Sequence, residues 1–168
     1  MDRIYKACLL VIGNEILSGR TQDVNLAFLG EQLNEIGIRL EEARVIPDIP
    51  SRIIQTVNEV RGNFDYVFTT GGIGPTHDDI TSQCVADAIG VPLILHPAAH
   101  KAMLDFYGKE NLTEARLRMA HVPQGAVLIE NDISIAPGYQ IENVYVLAGV
   151  PKIMQSMFAK LAPTLTGG

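Results

Sequence analysis

YVFTTGGIGPTHDDIT, residues 66–81, is the stretch that decides the fold. Tyr66 to Thr70 is a short run rich in β-formers, and it empties into a loop that holds Gly71, Gly72 and Gly74. From about Thr81 to Ile89 the apolar spacing predicts a helix, stopped by Gly90 and Pro92. Upstream, Lys6 to Ile12 (KACLLVI) is a continuous apolar run ending at a glycine, as expected of a strand buried on both faces. Leu26, Leu29, Leu33 and Ile36 recur at helical spacing within 23–36, with Gly37 as the stop. Arg39 to Ile46 is a weaker, charged strand suited to a position near a sheet edge, followed by Pro47, Asp48 and Pro50 as breakers. Ser51 can cap a helix whose apolar face is Ile53, Ile54, Val57 and Val60, ended by Gly62. Strand, helix, strand, helix, strand at this spacing implies a parallel sheet with right-handed crossovers.

Downstream the texture changes. Ala99, Met103 and Phe106 predict a helix over 97–107, and a second is expected over 112–119. Short β-like pieces at 126–129 and 144–147 flank NDISIAPG, whose Pro137 and Gly138 are expected to mark a turn. Hairpin-like pairing of those pieces makes the sheet mixed. Pro151 opens a final helix with Ile153, Met157 and Leu161 on one face. The expectation is a single α/β domain over 1–168.

Composition excludes several function classes. Thirteen Lys and Arg against nineteen Asp and Glu leave a net charge of −6 on 168 residues. No cluster of Lys or Arg supplies the footprint that neutralises nucleic-acid phosphates, so no nucleic acid is expected as a partner. The longest uncharged apolar run, 7–13, falls far short of the roughly 20 residues needed to cross a bilayer, and no membrane association is expected. The N-terminus lacks a signal-peptide cleavage pattern, which predicts a cytoplasmic protein. Cys8 and Cys84 each sit in an apolar pattern without a CxxC partner and read as buried thiols.

If the strands ending at Ile12, Ile46, Thr70 and Leu147 are parallel, the loops after them emerge on one sheet edge, where open α/β sheets bind ligands. Those loops are GNEILSGRTQDVN, PDIPS, TTGGIGPTHDD and AGVPK. Three glycines directly after a strand exceed what a simple turn needs and suit backbone N–H groups turned toward a phosphate. The loop is neither GxGxxG nor a Walker A motif, and 13–21 departs from a P-loop in glycine spacing and in having Arg20 where the Lys belongs. Asp48, Asp78 and Asp79, with Glu15 as a weaker candidate, fall on the same edge. Carboxylates beside a phosphate nest repel the ligand unless a cation lies between them, which suggests a divalent metal bridging Asp oxygens and phosphate. One of Asp78 and Asp79 can instead cap the helix near Thr81. Arg20 and Lys152 are candidate phosphate partners, and His77 is a candidate contact within the glycine loop. His96 and His100 have zinc-pair spacing but no third ligand. No serine has a recognisable His and Asp partner.

GNEILSGRTQDVN (13–25), VIPDIPSRI (45–53), TTGGIGPTHDDIT (69–81), IAPGY (135–139) and LAGVPKIM (147–154) occur in an order that resembles the MoaB/Mog molybdopterin-binding fold family, in particular its branch in the N-terminal domain of the competence/damage-inducible protein CinA. TGGxGPTxDDxT is the specific signal among them. The resemblance implies a three-layer α/β/α sandwich with a mostly parallel, mixed central sheet, assembled as a homo-oligomer, a trimer or a dimer. It implies that Gly71, Gly72 and Gly74 hold a ligand phosphate and that Asp48 and Asp79 act at the site; with the metal expected from charge, Asp48 and Asp79 are expected to hold it or position water, and Asp78 to assist. The matching segments add Thr70, Thr76, Gly13, Asn14, Glu15, Asn25, Pro137, Gly138, Gly149 and Pro151 as ligand-facing candidates.

The CinA branch looks like a hydrolase of nucleotide pyrophosphates such as ADP-ribose, dependent on Mg²⁺, Mn²⁺ or Co²⁺. Relatives in molybdenum-cofactor biosynthesis bind or adenylylate molybdopterin, which makes molybdopterin an alternative ligand. A non-catalytic ligand-binding module is a third reading. Ala148 stands where many relatives have proline in LPGxP, and the amidohydrolase domain of full-length CinA is not expected within 1–168, so nicotinamide-nucleotide deamidation is not expected either.

Overall fold

The computed structural model describes residues 3–168. Its strands are β1 (Tyr5–Ile12), β2 (Ile38–Ile46), β3 (Tyr66–Thr70), β4 (Leu93–Leu95), β5 (His121–Pro123), β6 (Val127–Ile129), β7 (Gly138–Ile141) and β8 (Val144–Leu147). Its helices are α1 (Asn14–Leu17), α2 (Asn25–Glu35), α3 (Pro50–Arg61), α4 (Thr81–Ile89), α5 (Pro97–Tyr107), α6 (Glu114–Leu117) and α7 (Pro151–Leu161). Six strands form one sheet in the order β2-β1-β3-β8-β7-β6. The first four are parallel, and β7 and β6 are antiparallel additions. β4 and β5 make a separate antiparallel ribbon.

Period-two alternation along β1 builds the layers. Cys8, Leu10 and Ile12 join Ile53, Val57 and Val60 of α3 and Val85 of α4 on one face. Ala7, Leu9 and Val11 join Leu29 and Leu33 of α2 and Met154, Met157 and Phe158 of α7 on the other. The result is helix, sheet, helix, the three-layer sandwich expected from the sequence. α2 and α3 cover opposite faces, so the chain leaves β1 toward β2 on one side and returns to β3 on the other. The crevice between the ends of β1 and β3 is therefore a topological switch point, where ligand sites in such sheets form. β2 is the sheet edge, where Arg44 lies 2.8 Å from Glu42 and 3.2 Å from Glu59.

Several expectations are corrected. Pro137 and Gly138 do not mark a turn: Gly138 opens β7, which lies between β6 and β8, so 126–129 and 144–147 are not paired with each other. The turn comes earlier, where Asn131 Oδ1 accepts from the N–H groups of Ile133 and Ser134. Ser51 does not cap α3, whose first residue is Pro50 and whose cap position is Ile49. The 112–119 helix shrinks to α6 followed by a 3₁₀ turn, Arg118–Ala120. Phe106 and Leu26 face solvent, at 67% and 43% exposure, because the helices carrying them bury narrower stripes than the spacing implied.

Candidate functional site

A cleft of about 510 Å³ opens at the β1/β3 switch point. Val11 and Ile12 at the end of β1, Thr70 to Pro75 after β3, Asn25 of α2 and the Ala148 to Pro151 turn line it. The cleft lies where the parallel strands β1, β3 and β8 deliver their loops; the loop after β2 contributes no lining residue.

Backbone conformation explains the glycines. Gly71 and Gly72 have φ of 96° and 75°, in the left-handed region that suits glycine. A Cβ at Gly71 would strike the Ile12 carbonyl, and one at Gly72 would strike Thr81 Oγ1. Buried Thr81 pins the turn, donating from Oγ1 to the Gly71 carbonyl at 3.1 Å and from its N–H to the Gly72 carbonyl at 3.0 Å. Gly71 N–H donates to Leu147 O at 3.2 Å. The N–H groups of Gly72, Ile73 and Gly74 have no acceptor among the described residues, which leaves an arch of donors at the cleft wall. Gly149 packs against this arch, where a Cβ would come within 3.1 Å of Gly71 Cα.

The carboxylates are held on one oxygen each. Asp79 Oδ2 accepts from Thr76 N–H at 2.9 Å and Thr76 Oγ1 at 2.8 Å, so Asp79 is braced inside its own loop and does not cap α4, whose cap position is Ile80. Asp48 Oδ2 accepts from Asn14 N–H at 3.0 Å, and Asp48 N–H returns a bond to Asn14 Oδ1 at 3.1 Å. Both carboxylates keep Oδ1 without a partner among the described residues. Burial pushes the Asp48 carboxyl above its ordinary pKa; the Asn14 N–H opposes this, and the charges of Glu15, Asp79 and Asp78 reinforce it. Glu15 lines the cleft and folds back over Gly13, where a Cβ would meet its carboxylate.

Two buried polar atoms at the cleft lack partners. Asn25 donates from Nδ2 to Gly149 O at 3.0 Å, and its Oδ1 is unpaired although the residue is 3% exposed. Thr70 Oγ1 is likewise buried and unpaired.

Of the sequence candidates, the cleft is lined by Gly71, Gly72, Gly74, Thr70, Glu15, Asn25, Asp79, Gly149 and Pro151. Gly13, Asn14, Asp48 and Thr76 do not line it; Asn14 pairs with Asp48, and Thr76 braces Asp79. Asp78 is exposed and lines no cleft, although its field reaches Asp48. Pro137 belongs to a neighbouring smaller cleft, and Gly138 is a strand residue packed near Met157 Sδ. Arg20 and Lys152 are exposed and line neither cleft. His96 caps α5, its Nδ1 accepting from Ala98 and Ala99 N–H at 3.2 and 3.5 Å. His77 accepts at Nδ1 from Arg118 Nη1 at 3.1 Å. Arg118 lines the smaller cleft and was not a sequence candidate. It sits in a segment that reads as a spacer helix, and no local motif signals it.

Among the described residues no three His, Cys, Asp or Glu side chains converge into a metal cage. The donor set, Asp oxygens free beside N–H donors for phosphate, fits an ion that brings its remaining ligands with a phosphorylated substrate. No helix of the described residues is long and apolar enough to cross a membrane.

Comparison with known proteins gives one picture. The family described as "Probable molybdopterin binding domain" matches residues 8–167. A protein from Aeropyrum pernix is 42% identical over 98% of this chain, and a CinA-like protein from Kosmotoga olearia is 37% identical over 91%. The chain spans less than two thirds of those relatives' length, 64% and 39% respectively. The crystal structure of CinA from Thermoplasma acidophilum, a protein of unknown function, superposes with a TM-score of 0.89 at 33% identity, covering 96% of this chain and 98% of that one. MoaB from Thermus thermophilus, at 18% identity, covers 96% of this chain and 92% of its own with a TM-score of 0.62, and shows the shared fold. This chain belongs to the molybdopterin-binding domain family, among its CinA-like members.

Proposed function

We propose that the cleft binds a phosphorylated heterocycle, a nucleotide pyrophosphate or a phosphorylated pterin, together with a divalent metal ion, and hydrolyses its phosphoanhydride. The observation that carries this reading is the pairing of opposites at one wall. An arch of unpaired N–H groups at Gly72 to Gly74 lines the cleft, while the charges lining the same cleft, Glu15, Asp23 and Asp79, are all negative. Phosphate suits the first feature and is repelled by the second. A cation brought with the substrate reconciles them; Asp79, which lines the cleft, would hold it through its free Oδ1, with Asp48, outside the lining, as the second carboxylate.

When bound, the metal would neutralise phosphoryl charge and polarise the anhydride. The chain's own contributions are distinct. Gly72 to Gly74 orient the phosphate through N–H groups, and Thr76 and Asn14 fix the two aspartates so that little reorganisation is needed. The apolar walls of Ile16, Val150, Ile153 and Met157 exclude water from the heterocycle. Asp78, exposed beside Asp79, adds negative charge near the incoming water.

Release of AMP from ADP-ribose or FAD with Mg²⁺, Mn²⁺ or Co²⁺, abolished by chelator and by Asp79→Asn, is the expected result. Metal-independent turnover, or turnover indifferent to Asp79→Asn, overturns the reading. A second reading, molybdopterin binding or adenylylation without hydrolysis, is favoured by the unpaired Asn25 Oδ1 and Thr70 Oγ1, which suit the polar edge of a pterin. Tight pterin binding with no pyrophosphate turnover would select it. Assembly into a homo-oligomer is part of the same proposal: Val24, Leu26 and Val150 are exposed close to the cleft, and light scattering at a multiple of the 18.3 kDa chain mass checks it.

A further inference from the structure

We propose that residues 96–120 form a cap that swings as one body on the β4–β5 ribbon, and that the contact between Arg118 and His77 is the latch that holds it closed beside the glycine loop, whatever the cleft there binds.

The segment is built as a unit. Between β4 and β5 the chain makes α5, α6 and the 3₁₀ turn Arg118–Ala120, and these enclose a core of their own. Ala99, Met103 and Ala120 are buried in it, with Tyr107, Leu112 and Leu117 packed around them. Polar contacts are equally self-contained. His96 Nδ1 accepts from Ala98 N–H in the first turn of α5, and Thr113 Oγ1 accepts from Arg116 N–H. The Arg116 guanidinium lies 4.4 Å from the centre of the Tyr107 ring and donates to the Asn111 carbonyl at 2.8 Å. Lys101 pairs with Asp105 at 2.9 Å. A unit that keeps its own core and its own hydrogen bonds can move without unfolding.

Its attachment to the rest of the domain is narrow. Among the described residues, every hydrogen bond made by 97–119 ends within 93–123 except one, which runs from Arg118 Nη1 to His77 Nδ1 at 3.1 Å. Beyond the ribbon, the residues packed against the cap core are Leu128 and Ile135, both only partly buried. The ribbon itself is fixed. Leu93, Ile94 and Leu95 pair with Pro123, Val122 and His121, Val122 is buried in the main core, and Gln124 N–H donates to the Pro92 carbonyl at 2.9 Å. The chain thus enters and leaves the cap at one place, where His96 N–H donates to the Ala120 carbonyl at 2.9 Å. Two crossings side by side make a hinge, because rotation there changes few backbone dihedrals.

The cap meets the cleft where closure has an effect. Met119 lines the cleft beside Gly72 to Gly74, Ser134 and Ala136. Arg118 reaches the loop that carries Gly74 and Asp79. Its guanidinium stands a full side chain away from the hinge, so rotation there breaks the contact. Guanidinium only donates, so the latch needs a bare Nδ1 on His77. With the latch open, Met119 withdraws from the cleft wall and the glycine loop loses its tie to the cap.

The test is a distance measurement between spin-label pairs by pulsed electron resonance. Phe106→Cys marks the cap, at a residue 67% exposed, and Glu31→Cys on α2 or Gln55→Cys on α3 marks one or the other face of the body. A pair at Glu31 and Gln55 is the rigid control. Cys8 and Cys84 are buried, and background labelling is measured on the chain without introduced cysteines. Each pair is read with the native latch and with Arg118→Ala, His77→Ala and His77→Glu. Both latch residues are exposed, and melting curves check that the variants fold. One such contact shifts a two-state balance by roughly twofold to tenfold. The expected result is a main distance and a minor second one for at least one cap–body pair. Arg118→Ala and His77→Ala should raise the minor share relative to the main by that factor, and His77→Glu, which offers the guanidinium a carboxylate, should lower it. A single distance in every variant, a ratio indifferent to all three substitutions, or an equal change in the control pair overturns the proposal. A broad continuum of distances with loss of helical circular dichroism overturns it as well, since the segment would then unfold rather than swing.

Discussion

Asn14 and Asp48 hold each other twice, Asn14 N–H on Asp48 Oδ2 at 3.0 Å and Asp48 N–H on Asn14 Oδ1 at 3.1 Å. The residues are 34 apart in sequence and close the loops after β1 and β2 against each other. The pair fixes a carboxylate in a field of three others, an arrangement that costs stability and is retained where the negative charge is useful.

That cost gives the first prediction. The folded pKa of Asp48 is raised above its ordinary value of 3.8, so the folded chain binds this proton more readily than the unfolded one. The contribution of Asp48 to stability is therefore full below that value and is lost as pH rises through the folded pKa. Asp48→Asn keeps the acceptor for Asn14 and removes the charge, so its Tm at pH 7 should equal or exceed that of wild type. The difference should vanish at about pH 3, where wild type is protonated as well. Metal-dependent turnover should fall on the order of 100-fold. A Tm that drops at pH 7 would show that Asp48 stabilises the fold and would remove the argument for a functional charge.

Gly72→Ala tests the arch. The residue has φ of 75°, and a Cβ there collides with Thr81 Oγ1, which is fully buried. Gly19→Ala is the control, since φ is 78° and nothing lies within 4 Å of its Cβ position. The control isolates the left-handed conformation and should cost about 1–2 kcal/mol. Gly72→Ala should cost measurably more by denaturant unfolding, because the Thr81 pin must also move. Equal losses would mean that the arch tolerates a side chain.

Much of this architecture was legible in the sequence, for reasons that particular residues make plain. β1, β3, β8, α4, α5 and α7 have strong periodic patterns or sharp Gly and Pro boundaries, and the strand, glycine loop and helix of 66–81 pointed to the sheet edge where the candidate cleft lies. Short elements were not legible. Leu93–Leu95 and His121–Pro123 form a ribbon only because each finds the other 26 or more residues away, and Gly138–Ile141 was masked by a Pro-Gly pair that reads as a turn. At the site, glycines and acidic loop residues announced themselves by composition. Arg118 did not, because its place at the second cleft is set by the 3₁₀ turn and by its reach to His77. The role of Asp79 was ambiguous until Thr76 was seen to brace it.

The cysteines give a prediction independent of function. Cys8 and Cys84 are buried, and desolvation, helped by the charges of Glu42 and Asp87 respectively, pushes their thiols up to about 12 and about 11. Thiolate is the reactive form, so neither should react with Ellman's reagent in the folded protein at pH 8. Both should react on unfolding in denaturant. Rapid labelling of one thiol in the native state would show that its helix or strand opens locally.

Asn25 separates stability from recognition. Its Nδ2 is committed to Gly149 O, and its Oδ1, buried in a residue that lines the cleft, has no partner among the described residues; the prediction is that a bound ligand's N–H fills it. Leaving a buried carbonyl unpaired costs roughly 1–3 kcal/mol, as does stripping the partner from the Gly149 carbonyl. Asn25→Leu removes the first cost and creates the second, so its unfolding free energy should stay within about 1 kcal/mol of wild type. Asn25→Asp sets a carboxylate against the Gly149 carbonyl and should destabilise the protein. Recognition should respond differently. Wild type should bind AMP about tenfold more tightly than purine riboside monophosphate, which lacks the exocyclic amino group, as expected for one hydrogen bond to a desolvated acceptor. Asn25→Leu should bind the two alike. A preference for AMP that survives Asn25→Leu would place the amino group elsewhere and leave the orphaned carbonyl a matter of packing alone.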